Sequence, residues 1–161
     1  MQGKYDEAMP FYTEALEARR RTLGNEHPGT LLSINGMGSL LLKQGEYDEA
    51  MPYYTEALEA HRRTLGNAHP STLMSIKNMG ILLKIQGKYD EAMPYYTEAL
   101  EARRRIFGDD HPDTNTSLKA MIKFQNQWHE AEPDAGHDAI AAKYQAQLDA
   151  INAGLEMPAA P

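Results

Sequence analysis

Apolar residues recur along the chain at three- and four-residue steps, the spacing that stacks side chains on one face of an α-helix. Between Pro70 and Ile85 the stripe is Leu73, Ile76, Met79, Gly80 and Leu83. Between Tyr89 and Phe107, Ala92, Tyr96, Ala99, Leu100 and Arg103 fall at helical spacing. The first stripe opens on Pro70, which suits a first helical turn because its missing N–H costs nothing there. It closes on Gln86-Gly87, where glycine supplies a left-handed C-cap. The second carries Asp90 and Glu91 in its first turn and Arg103, Arg104 and Arg105 in its last, the polarity that the helix dipole favours. Gly108 stops it, and Asp109-Asp110-His111-Pro112 turns the chain onward. The predicted unit is helix–turn–helix, with no strand signal.

The unit repeats. The string Gln-Gly-Lys/Glu-Tyr-Asp-Glu-Ala-Met-Pro starts at Gln2, Gln44 and Gln86, 42 residues apart each time. A degraded copy runs from Gln125 to Pro133, 39 residues after the third. A constant period of this length predicts stacked units, each covering its neighbour's apolar face. The expected organisation is a repeat array over 1–133: a lone second helix at 2–24, repeats at 28–66 and 70–108, and a degraded one at 112–133. A capping helix is expected over 134–154 and a frayed tail over 155–161. Pro10, Pro52 and Pro94 sit about a turn inside the second helices, which predicts either a bend or a late helix start.

Gly45, Tyr47, Ala50, Tyr54 and Ala57, with Gly38 seven residues before Gly45, fall at the offsets of the tetratricopeptide pattern. The family's usual unit is about 34 residues, and the Leu-Gly-x-x-His-Pro turns (Leu23 to Pro28, Leu65 to Pro70) fit a longer second helix. The chain resembles the tetratricopeptide proteins with 42-residue repeats typified by kinesin light chains. That resemblance implies an all-α fold, a right-handed α-solenoid whose first helices line a concave groove. It covers residues 2 to about 133. The family's Leu-Asn-Asn-Leu-Ala stretch is replaced here by Ile34-Asn35-Gly36-Met37-Gly38, Ile76-Lys77-Asn78-Met79-Gly80 and Leu118-Lys119-Ala120-Met121-Ile122.

Charge changes the picture. The chain has 161 residues and a formal net charge of −7. From Trp128 on there are six acids against one lysine, a net −5, so most of the excess belongs to the C-terminal segment. The first helices carry Lys43, Lys77, Lys84, Lys119 and Lys123 against one acid, Asp113. An acidic surface disfavours duplex DNA and anionic lipid, and the absence of a recurring groove aromatic disfavours single-stranded RNA. Zero cysteines exclude disulfides and thiolate-held metals. Neither a membrane-spanning run nor a signal peptide is present, so a cytoplasmic setting is expected.

Groove offsets single out Asn35, Ser39, Lys77, Asn78, Ile81, Lys84, Lys119 and Lys123 as peptide-binding candidates. Lysines gathered in a groove attract carboxylates, and asparagine amides hold an extended backbone. An acidic peptide segment of a protein partner is therefore the expected ligand, and the protein is expected to be an interaction scaffold. The second expectation is self-assembly through the first helix, whose Tyr5, Ala8, Met9, Tyr12 and Leu16 lack a preceding helix to cover them. His27, His69 and His111 recur a whole repeat apart and cannot converge on one metal ion, so they are expected to form turns. His129-Glu130 and His137-Asp138 have no nucleophile or oxyanion donor set around them. No enzyme activity, cofactor or metal is expected.

Overall fold

The computed structural model describes residues 2–155 together with Pro158. Most of the expected tail, 155–161, thus lies outside the described residues. The described part is helical, with seven α-helices and a single 3₁₀ turn. The chain divides into two compact units, residues 1–87 and 88–161.

Unit 1 holds α1 (Gln2–Leu23), α2 (Pro28–Gln44), α3 (Tyr47–Leu65) and α4 (Pro70–Ile85). Each packs on the next in chain order. Leu16, Leu31, Ile34, Ala57 and Ala60 form a buried cluster, with Tyr53 against it. The tightest joint is α2 on α3. A Cβ added at Gly38 would stand 2.8 Å from the Tyr54 ring, so only glycine lets the buried tyrosine lie on the α2 backbone. The Tyr54 hydroxyl shares a 3.1 Å hydrogen bond with Ser39. Burial raises the Tyr54 pKa, and the Ser39 bond partly offsets that rise. Gly45 ends α2 in the left-handed region at φ 87°, as the Gln-Gly signal requires.

Unit 2 holds α5 (Tyr89–Phe107), α6 (Pro112–Ala131), the 3₁₀ turn Pro133–Ala135 and α7 (His137–Ala153). Here α5 packs on α6, and α6 on α7. The core is aromatic. Phe124 stacks on Tyr96 at 4.4 Å, and Trp128 lies between Tyr89 at 5.9 Å and His137 at 3.8 Å. His137 Nδ1 and the buried Gln125 amide oxygen are 3.1 Å apart.

Two features refine the sequence reading. The degraded copy at Gln125–Pro133 closes the segment expected over 112–133, and α6 runs through most of it, to Ala131. Asn126 stands where the earlier copies have glycine, so nothing forces a left-handed residue there. The turn moves to Gly136, at φ 76°. The prolines, in turn, do not mark late starts, because α3 and α5 begin at Tyr47 and Tyr89, ahead of Pro52 and Pro94.

Candidate peptide-binding face

The first helices start at a recurring cap. His27, His69 and His111 are extended residues, each followed by proline. Their Nδ1 atoms accept the backbone N–H of Gly29, Ser71 and Asp113 at 3.1, 3.2 and 3.2 Å. Threonine two residues after each proline adds a second tie in two copies. Thr72 and Thr114 donate to the Gly66 and Gly108 carbonyls at 2.7 Å. These contacts fix where α2, α4 and α6 begin and hence which side chains they present.

In unit 1 the predicted residues divide sharply. Asn35 is only 4% exposed. Its amide donates to the Leu31 carbonyl and to Ser75 Oγ at 3.4 Å, and its oxygen accepts from Asn78 at 3.4 Å. Asn35 and Asn78 thus tie α2 to α4, and Asn35 is engaged inside the stack. Ser39 is taken up by Tyr54. Lys77 is exposed, while Ile81 and Lys84 are half-buried. In unit 2, Lys119 and Lys123 are exposed on α6. The longer α6 also carries Glu130, so its charge is less one-sided than that of α2 and α4, which hold no acid.

The sequence reading missed the apolar part of this face. Leu32 is 61% exposed and Met74 41%. They rim a cavity of about 390 Å³ between α2 and α4. Leu31, Leu65, His61 and His69 also line it. The 42-residue step from Leu32 to Met74 was available as a signal, because both fall three residues before the groove positions Asn35 and Lys77.

A second missed row explains the arginine clusters. Arg19 donates to Ser33, and Arg103 donates to Ser117. In the middle copy His61 Nδ1 and Ser75 Oγ share a 2.9 Å bond. Arg20 pairs with Glu56, and Arg104 donates to Gln147 of α7 at 2.6 Å. These arginines tie helices together.

On α1, Leu16 is buried in the unit 1 core. Tyr12 lies against α2, where a Cβ on Gly36 would be 3.1 Å from its ring. Lys43 stands 6.0 Å over the Tyr5 ring, and Ala8 and Met9 are half-buried. Among the described large apolar side chains of α1, Phe11 is the most exposed, at 71%. Among the described residues no group of three or more His, Cys, Asp or Glu is placed to hold a metal ion. No described helix is long and apolar enough to cross a membrane.

Helix pairs joined at glycine turns, with a tyrosine seated on a glycine of the facing helix, define an α-solenoid repeat protein. The profile of the tetratricopeptide repeat matches residues 1–63, 31–105 and 71–133, and the chain belongs to that family. Among solved structures the fold is similar to that of BtubC (BKLC) from P. vanneervenii, with a TM-score of 0.72 at 19% identity. That match covers 99% of this chain and 62% of BtubC, so the chain spans less than two thirds of that relative. A Podosopora anserina kinesin-light-chain-type protein with nearly identical TPR-like repeats is also similar, with a TM-score of 0.68 at 19% identity. There the match covers 94% of this chain and 89% of the other. None of the curated protein sequences compared matches the chain. Tetratricopeptide arrays are scaffolds for protein–protein interaction.

Proposed function

We propose that the protein is an interaction scaffold whose first helices hold an acidic segment of a partner protein. The observation that carries this is the make-up of α2 and α4. They contribute Lys43, Lys77 and Lys84, contain no acid, and flank the cavity rimmed by Leu32 and Met74. Lysines on these helices attract carboxylates, and the apolar rim, which no lysine lines, gives a side chain elsewhere on the partner somewhere to be buried. No bond is made or broken in this role.

Fluorescence anisotropy of labelled acidic and basic peptides, at low and high salt, tests the reading. Acidic peptides are expected to bind more tightly, and to weaken as salt screens the lysines. Equal affinity for both signs of peptide would sink it.

Exposed Phe11 and Tyr12 favour a second reading, self-association through α1. Light scattering across a concentration series separates the two, because a strict monomer at high concentration excludes this one.

A further inference from the structure

Peptide recognition by lysines and an apolar rim makes no use of the histidines that sit at the base of the same cavity. His61 is 4% exposed and is held by Ser75 of α4, which also accepts from Asn35 of α2. His69, at the start of α4, caps that helix through Nδ1. We propose that these two imidazoles form an acid-sensitive joint at the seat of α4, which loosens that end of the face when they protonate.

Three observations converge. First, the cap bond exists only while His69 is neutral, because an imidazolium has no lone pair on Nδ1 to accept the Ser71 N–H. The added charge would also sit at the positive end of the helix dipole.

Second, the surroundings of His61 give a cation little support. α2 contributes Leu31, Leu32 and Asn35 to the cavity, and α4 contributes Ser71 and Met74, none of them charged. The charged or titratable groups lining it are His61, His69 and Glu26, and Glu26 is held by Arg63 at 2.6 Å. Burial, and then the nearby His69, hold the His61 imidazole below its ordinary value. A group depressed in this way contributes stability that is complete above the unfolded value of about 6.5 and is lost as pH falls.

Third, unit 2 lacks the device. Arg103, charged at every relevant pH, replaces His61 in the contact with serine. There His111 has the Asp113 carboxylate 3.9 Å away and the Phe107 ring stacked at 4.5 Å, so protonation exchanges a cap bond for an ion pair.

The joint does not depend on what the face holds, and it is tested on the full chain without peptide. Hydrogen exchange resolved by segment, corrected for intrinsic rates, is compared at about pH 7.5 and about pH 5. The amides of α4 are expected to lose about two- to thirtyfold in protection, the size of one helix cap, while those of α6 change much less. The double variant H61R/H69N is expected to abolish the difference. Arginine already occupies the equivalent position in two copies, and asparagine is among the strongest N-caps. Should the double variant not fold, H69N alone is expected to reduce the loss. No loss at α4, equal loss at α4 and α6, or a loss that survives these replacements overturns the joint.

Discussion

At the scale of single residues, the structure turns on small atoms at helix crossings. Gly38 admits the Tyr54 ring at a distance no Cβ allows. Gly38→Ala is expected to destabilise the chain by about 1–3 kcal/mol through overpacking. Tyr54→Ala, which empties the same joint, should cost about 3–5 kcal/mol. Urea unfolding followed by circular dichroism checks both, and a change under 0.5 kcal/mol for either would show that the crossing is not tight. Tyr96 offers a test of a different kind. Burial pushes its hydroxyl up to about 12. A raised tyrosine contributes stability that is full below the unfolded value of about 10 and is lost as pH rises towards 12. Unfolding midpoints should therefore fall between about pH 10 and 12, and Tyr96→Phe should flatten that decline.

At the scale of elements, most helices were legible because each boundary carried its own chemistry. Proline opened α2, α4 and α6, and glycine closed α2, α3 and α5. The degraded copy at Gln125–Pro133 has no glycine at position 126 to enforce a turn, and α6 runs through it to Ala131, close to the expected bound at 133. The exposure of Lys77, Lys119 and Lys123 was readable from register. Burial of Asn35 was not, because it depends on Ser75 and Asn78, some 40 residues away. The left-handed stop of α2 also yields a prediction. Gly45→Ala keeps the space but places a Cβ at φ 87°, with an expected cost of about 1–2 kcal/mol by thermal melting. A neutral result would mean that the turn can relax.

At the scale of the whole molecule, the net charge conceals a division of labour. The acids lie mainly on the second helices and in the C-terminal segment, while α2 and α4 are purely basic. Reversing Lys77 and Lys84 together to glutamate should lower the affinity for an acidic peptide by about tenfold or more and abolish its salt dependence, leaving the helical signal unchanged. Unchanged affinity would place the ligand elsewhere.

The helices α3 and α5 share one sequence from their first tyrosine through fourteen residues, Tyr47–Ala60 and Tyr89–Ala102. A folding chain therefore carries two partners for α2 that are identical over those residues. What separates the two is short-range: a connection of two residues delivers α3 to α2 before α5 can arrive, and His61 against Arg103 decides which serine is met afterwards. Near-duplication thus leaves fidelity to kinetics, and lengthening the turn at Gly45-Glu46 should populate exchanged dimers and slow refolding species.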